Sequence, residues 1–315
     1  METKQMLRSD AERFSPGKGV ARAGLPVKEA DGASFTAMLG AVCGDIVGSI
    51  YEAKNLKAVL APEALFHPED RFTDDSVMTC AVADGIRKGL QQLPKDWLHA
   101  PQAEEVLFNA IQDSMLFFGR KYPNVGYGGT FIRWLQEENP QPYHSWGNGS
   151  AMRVSYAGWA ANSLEEAEKL GELSAAVTHD HPEGIKGAVV MAGCVYLLRQ
   201  GASKEELRAY VEKFYRLDFT LDEIREEYTF HVSCMSSVPQ AIEAFLEGGN
   251  YAEVIALGIS IGGDSDTIAA MAGSLAEVIY PIPNTLRQQV LEVLDKPLQD
   301  AIAEAVAYLN CRAAE

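Results

Sequence analysis

Gly262-Gly263-Asp264-Ser265-Asp266-Thr267 is the stretch on which the interpretation of the whole chain depends. Two carboxylates and two hydroxyls stand there between an apolar run and a long Ala-rich helical segment that stops at Pro281. Acidic side chains are typical of helix starts, so this stretch by itself favours helix capping. Clusters of oxygen ligands also suit hard cations, and a second such cluster would favour a metal site.

The second cluster is Thr73-Asp74-Asp75-Ser76, which precedes another helical apolar run over Val77 to Ile86. Two helix starts of this kind, facing one another, would supply oxygen ligands for two metal ions. The candidate metal ligands are Thr73, Asp74, Asp75, Asp264, Asp266 and Thr267.

Composition limits the class of protein. The chain has 315 residues, 47% of them hydrophobic, which is enough to bury a sizeable core. Its formal charge of -17 and pI near 4.8 argue against nucleic acid or an anionic membrane as the general partner. No apolar run reaches transmembrane length and the N-terminus lacks a signal-peptide pattern, so we expect a cytoplasmic protein. The five cysteines are widely spaced, as expected for reduced thiols.

Residues 1–33 are polar and interrupted by Gly and Pro, which predicts a loose leader before a single domain over residues 34–315. Within that domain apolar residues recur mostly at helical spacing. No segment of convincing length alternates as a strand would, and no repeat of fixed period is present. The sequence therefore predicts one all-α domain.

A glycine stripe marks the first predicted helix, where Gly40, Gly44 and Gly48 fall four residues apart and permit close approach of another backbone. Asp45 and Glu52 are two turns apart on this helix and share one face of it. We expect one or both to point into a site. The irregular segment that follows Glu52 is long enough to form a flap.

Three further segments are candidates for ligand binding. The loop Gly126-Tyr127-Gly128 lies among aromatics that could stack a base, although such aromatics are more often core residues. Small residues in Ser145-Trp146-Gly147-Asn148 leave backbone N–H groups free for an anion. An ordinary loop before a helix would look the same, and a helix is predicted here over residues 151–161. His179 begins a His/Asp/Glu cluster whose spacing matches no zinc motif, and a lone loop histidine is usually structural.

Taken in order, these motifs resemble those of the ADP-ribosylglycohydrolase family over about residues 35–310. The resemblance rests on Gly44-Asp45 through Glu52, Phe72 to Ser76, Gly147 to Arg153, Thr178-His179 and Gly263 to Thr267. It implies a single orthogonal bundle of α-helices with two Mg²⁺ ions, replaceable by Mn²⁺, in a central cleft. In the family those ions are held by the residues that match the six candidate ligands named above.

The resemblance also implies roles for individual residues. Ser145 would meet the diphosphate of ADP-ribose, Trp146 would stack on adenine, and His179 would line the ribose pocket. The branch that activates nitrogenase reductase cleaves ADP-ribosyl-arginine and carries an Asp in the loop that here is Gly126-Tyr127-Gly128. That Asp is absent, so the chain is more similar to the branch that cleaves O-linked ADP-ribose from serine or from O-acetyl-ADP-ribose.

These expectations combine into one functional hypothesis. Glu52 is the candidate acid–base catalyst, and Asp266 is both a metal ligand and a candidate catalytic residue. The substrate would be an ADP-ribosylated protein or a small ADP-ribose conjugate, and the protein would act as a monomer. The alternatives are hydrolysis of arginine-linked ADP-ribose, a dinuclear phosphoesterase, and a non-catalytic ADP-ribose-binding or structural relative.

Overall fold

The computed structural model describes residues 37–314, of which residues 37–312 have described side chains. The predicted leader at residues 1–33 lies outside the described residues. Fifteen α-helices and two short 3₁₀ turns, Pro62–Ala64 and Trp97–His99, make up the regular structure of this part of the chain. The helices are α1 (Leu39–Gly48), α2 (Asp74–Gln91), α3 (Ala103–Lys121), α4 (Gly129–Gln136), α5 (Gly149–Met152), α6 (Ser155–Ala160), α7 (Leu164–Ala176), α8 (Pro182–Arg199), α9 (Lys204–Val211), α10 (Leu221–Ile224), α11 (Cys234–Glu247), α12 (Tyr251–Ser260), α13 (Ser265–Ile279), α14 (Asn284–Val293) and α15 (Lys296–Ala314).

The all-α prediction is confirmed. Within residues 37–314 the only extended pairing is one antiparallel bridge between Gly147 and Ser233. None of the helices described there is both long and apolar enough to cross a bilayer. Four of the five cysteines are buried and all five are free thiols.

Helices α1 and α13 are both almost wholly buried and form the centre of the bundle. They run antiparallel with their backbones in contact along the predicted glycine stripe. A Cβ at Gly40 would lie 2.4 Å from the carbonyl oxygen of Gly273, and a Cβ at Gly44 would lie 2.1 Å from that of Ala269. At Gly48 it would lie 2.5 Å from the Cα of Asp266, so only glycine fits at these three positions.

Two sequence expectations about helix boundaries are wrong. Helix α1 ends at Gly48, so Glu52 lies in the following turn and not on the helix with Asp45. The end is set by Ser49, whose hydroxyl and N–H both donate to the carbonyl of Ile46. The helix expected over residues 151–161 is divided into α5 and α6, because the chain leaves helical hydrogen bonding at Arg153.

The turn before α13 depends on two glycines with left-handed backbones, Gly262 at φ 68° and Gly263 at φ 69°. A side chain at Gly262 would also collide with the Oδ1 of Asn55, which accepts the N–H of Gly263 at 3.0 Å. The segment expected to form a flap is thus attached at its start to the turn that carries Asp264.

We predict that Gly44→Ala destabilises the protein by about 2 to 3 kcal/mol, because its methyl group would overlap backbone atoms of α13 that cannot rotate away. Gly129→Ala is the matched control, since a Cβ there meets nothing within 4 Å. Urea unfolding followed by circular dichroism measures both. Equal stability of Gly44→Ala and the parent would show that α1 and α13 can separate at no cost.

Candidate functional site

One cleft of about 700 Å³ collects most of the residues singled out from the sequence. The predicted site residues that line it are Glu52, Thr73, Asp74, Asp75, Gly126, Tyr127, Gly128, Ser145, Gly147, Asn148, His179, Asp264, Asp266 and Thr267. Trp146 is the exception. It is 52% exposed, lies outside the cleft lining and packs edge-on against His181 with ring centroids 5.6 Å apart.

Carboxylates in and behind the cleft form two groups that could each hold a cation. Oxygens of Asp45, Asp75 and Asp266 lie within 4.8 Å of one another, and so do those of Glu52, Asp264 and Asp266. Asp266 belongs to both groups. This arrangement suits two neighbouring cations with a shared carboxylate between them.

The acidity of these groups reflects their burial. Burial raises the pKa of Asp75 and of Asp266 well above the usual carboxyl range, and repulsion from neighbouring carboxylates raises it further. The pKa of Asp74 rises to about 7 for the same two reasons, and burial also raises that of Asp264. A divalent cation would reverse this effect by stabilising the charged forms.

One orphaned atom supports the fit of a cation. The Oδ1 of Asp75 is buried and has no hydrogen-bond partner among the described residues, while its Oδ2 accepts the hydroxyl of Thr267 at 3.1 Å. Buried carboxylate oxygens almost always have a donor or a cation. The donor set is oxygen only, which suits Mg²⁺ or Mn²⁺ better than a thiophilic metal.

Asp45, one of the two residues expected to point into a site, was not among the six predicted metal ligands. It is fully buried on α1, and its carboxylate accepts the N–H groups of Thr73 at 2.9 Å and Ser76 at 3.0 Å. The hydroxyls of the same two residues donate to it as well, that of Thr73 at 2.6 Å. Asp45 thus holds the first turn of α2, which carries Asp74 and Asp75. Its glycine-rich surroundings were the available signal.

Helix capping does not explain Asp264. It stands at the N-cap position of α13, yet its side chain makes no capping hydrogen bond. Its Oδ2 instead accepts the side-chain amide of Asn148 at 2.7 Å. The amide also donates to Ser237, and the backbone N–H of Asn148 donates to Val232. Asn148, expected to contact substrate, is therefore engaged with the acidic group that contains Asp264.

Buried polar groups hold the His179 ring in place. Its Nδ1 lies 2.7 Å from the hydroxyl of Thr178, which accepts a hydrogen bond from the guanidinium of Arg153 at 2.7 Å. Burial, aided by the charge of Arg153, lowers the pKa of His179 well below its usual value, so the ring is neutral near pH 7. A Cβ at Gly149 would lie 3.2 Å from His179 Nε2, which shows how closely the ring approaches the Gly147–Gly149 loop.

Two apolar residues on the cleft wall were missed by the sequence analysis. Phe230 and Val232 are 52% and 55% exposed and line the cleft. They are carried by a segment that pairs with the predicted anion loop, since Cys234 N–H donates to Trp146 and Gly147 bridges Ser233. The alternation of Phe230 and Val232 was the only local signal.

The Gly126–Gly128 loop on the other wall of the cleft carries no charge of its own, but the carboxylate of Asp74 lies beside it. Tyr127 packs against Phe131 with ring centroids 5.0 Å apart, and its buried hydroxyl has no partner among the described residues. The carboxylate nearest Gly126 is Asp74, whose Oδ1 would be 3.1 Å from a Cβ there. Glu52 lines the mouth, where burial and nearby Asp264 raise its pKa while Arg71 opposes the rise.

Comparison with known proteins supports the family resemblance that the sequence motifs suggested. Residues 33–313 match the sequence profile of the ADP-ribosylglycohydrolase family. The chain is 27% identical to ADP-ribosylhydrolase ARH3 of Mus musculus, over 77% of this chain and 82% of that protein. It is 23% identical to ADP-ribosylarginine hydrolase Tri1 of Pseudomonas putida, over 78% of this chain and 70% of that protein.

A solved structure shows the same fold. A chain described as an ADP-ribosylglycohydrolase-related protein complex superimposes with a TM-score of 0.60 and 22% identity, covering 87% of this chain and 96% of its own length. The family profile spans most of the chain, including the residues that line the acidic cleft. The chain is therefore a member of the ADP-ribosylglycohydrolase family.

Proposed function

We propose that the protein is an Mg²⁺-dependent hydrolase that cleaves the glycosidic bond between ADP-ribose and an acceptor, with O-linked acceptors preferred over arginine. The observation that carries the proposal is the pair of carboxylate groups sharing Asp266 in and behind the cleft. The family membership supplies the substrate class, and the similarity to ARH3 proteins supports the same class. Mn²⁺ would substitute for Mg²⁺ because both prefer oxygen ligands.

The residues that would hold the cations are the six predicted ligands, with Asp266 between the two positions. Asp45 and Glu52 lie within reach of the same positions. Bound Mg²⁺ would orient the vicinal hydroxyls of the distal ribose and stabilise charge that develops at its anomeric carbon. Hydrogen bonds from Thr267 to Asp75 and from Asn148 to Asp264 orient these two carboxylates.

Glu52 is our proposed acid–base group. During hydrolysis the bond from the anomeric carbon to the acceptor oxygen breaks, and a water oxygen takes its place. Glu52 would take a proton from that water and return it to the departing oxygen, which leaves the carboxylate unchanged overall. Its position at the cleft mouth and its raised pKa both suit a group that exchanges protons with water.

Neutral groups on the side of the cleft away from the carboxylates would bind the parts of ADP-ribose other than the distal ribose. His179 donates or accepts through one ring nitrogen without adding charge, and Ser145 and Gly147 stand beside it in the lining. We propose Trp146 as an adenine contact only for a purine that extends beyond the cleft rim, since Trp146 lies outside the lining. Gly126, Tyr127 and Gly128 would surround the acceptor linkage.

The charges of the cleft favour an O-linked acceptor. Its carboxylates, Glu52, Asp74, Asp75, Asp264 and Asp266, all belong to the two acidic groups or the predicted ligand set. Asp113 and Asp180 are not in the lining, and Asp180 accepts the N–H of His144 at 2.7 Å. An arginine leaving group would therefore lack a carboxylate of its own and would meet Arg71 at the mouth.

Other features of the proposal follow from composition. A cytoplasmic monomer acting on ADP-ribosylated proteins or small conjugates agrees with the charge of -17 and the free thiols. The arrangement favours glycoside over phosphate-ester hydrolysis, because only two cationic residues, Arg71 and Arg153, line the cleft. Arg153 is buried and donates to Thr178 and Ser174. A non-catalytic relative would not need the shared carboxylate groups.

Removal of the metal should abolish activity. We expect no release of ADP-ribose in excess EDTA and full recovery with Mg²⁺ or Mn²⁺. Asp266→Ala should lose at least two decades of kcat/KM, because it removes the shared ligand. Asp96→Ala, at a carboxylate that is 81% exposed, is the control and should match the parent. Metal-independent turnover would exclude the dinuclear site.

Glu52→Gln should separate binding from catalysis. The amide keeps the shape of the side chain but cannot take a proton, so we expect kcat to fall by roughly two to four decades. Calorimetric titration with ADP-ribose should give a dissociation constant within about threefold of the parent, because the lost group acts on protons and not on the ligand. A kcat close to that of the parent would assign proton transfer to another group.

Linkage preference can be measured on matched peptides. We expect a higher kcat/KM for a seryl-ADP-ribosylated peptide than for its arginyl counterpart, because the described cleft offers no spare carboxylate for the guanidinium. Arg71→Gln should reduce the difference in kcat/KM between the two peptides, because it removes the repulsion between Arg71 and the arginine of the substrate at the cleft mouth. A larger value for the arginyl peptide would reverse the assignment while leaving the metal-dependent hydrolase proposal intact.

A further inference from the structure

The side-chain amide of Asn148 joins two parts of the molecule that are far apart in sequence. Its Nδ2 lies 2.7 Å from the Oδ2 of Asp264 and 3.1 Å from the hydroxyl of Ser237 on α11. Asn148 and Asp264 line the cleft, whereas Ser237 is fully buried behind it and is not part of the lining. Ser237 has no role in the proposed chemistry.

The direction of each hydrogen bond follows from the groups involved. An ionised carboxylate only accepts, so the atom of Asn148 that faces Asp264 must be the amide nitrogen. That nitrogen has two hydrogens, and its second one points to Ser237. The Ser237 hydroxyl donates its own hydrogen to the carbonyl of His231 at 3.3 Å, so its oxygen is free to accept from the amide.

This chain of donors fixes the Asp264 carboxylate in one orientation. Rotation about its terminal bond would break the 2.7 Å bond to Asn148. An inverted amide would place the carbonyl oxygen of Asn148 against the carboxylate, and the two would repel. The backbone of Asn148 cannot shift to compensate, because its N–H is held by Val232 at 2.8 Å. The acceptor positions that Asp264 has left for a cation are thereby set.

We propose that Ser237 is a positioning residue for metal binding, acting through the Asn148 amide to orient Asp264. The inference rests on the metal site of the proposed function. Ser237 lies outside the cleft, yet it would contribute measurably to the affinity for the cation, as groups behind metal ligands commonly do. A purely structural serine would affect stability alone.

The test compares two buried serines. Ser237→Ala removes the acceptor of the amide, and Ser274→Ala removes a hydroxyl that bonds only within α13, to Met271 at 2.7 Å. We expect Ser237→Ala to weaken Mn²⁺ binding to the apoprotein about tenfold, measured by electron paramagnetic resonance titration. Ser274→Ala should bind Mn²⁺ like the parent, and thermal melting should show similar losses of stability for the two variants.

A double-variant cycle identifies the route. Asn148→Ala should weaken Mn²⁺ binding by about 10- to 100-fold, and adding Ser237→Ala should cost nothing more, because the amide through which Ser237 acts is gone. Additive losses would overturn the proposal, as would parent-like Mn²⁺ affinity of Ser237→Ala or no Mn²⁺ binding by the parent. A parent that binds Mn²⁺ but releases no ADP-ribose would refute the proposed function and leave this inference standing.

Discussion

Backbone contact between α1 and α13 is the constraint on which the rest of the structure depends. Ordinary helix pairs stand 8–10 Å apart because side chains separate them, whereas here glycines bring the carbonyl of Ala269 against Gly44. The antiparallel arrangement places the end of α1 beside the start of α13, with Gly48 against Asp266. The carboxylate of Asp45 therefore comes within 4.8 Å of that of Asp266 without a long side chain. A single methyl group on the stripe would widen the site as well as loosen the core.

The buried carboxylates show the cost of this geometry. Placing Asp45, Asp75 and Asp266 within 4.8 Å of one another, away from water, raises the free energy of their charged forms. Asp45 is compensated by four hydrogen-bond donors from the start of α2. Asp75 retains an oxygen without a donor. Asp75 differs from the other buried carboxylates with an unpartnered oxygen in lying beside Asp45 and Asp266, and a divalent cation would compensate the charge of this group best.

Features that depend on short-range chemistry could be predicted from the sequence. Thr73 accepts the N–H of Asp75 at the start of α2, where the sequence predicted a helix start, and the glycine spacing correctly indicated close backbone approach. Tertiary effects decided the rest. The end of α1 before Glu52 could not be predicted from periodicity. The positions of Trp146 and Phe230 depend on pairing between Gly147 and Ser233, for which the short alternation of Phe230 and Val232 was the only local signal.

Charge also constrains how a diphosphate could enter this cleft. Five carboxylates line it against two arginines, and the Arg153 guanidinium is buried in bonds to Thr178 and Ser174. Without cations these carboxylates would repel a phosphate in the cleft. In the proposed function, cations between these carboxylates would neutralise that repulsion, while neutral His179 would add a polar contact without adding charge. The proposed binding of an anionic ligand in so acidic a cleft would therefore need both the cations held by the carboxylates and the neutral polar groups around His179.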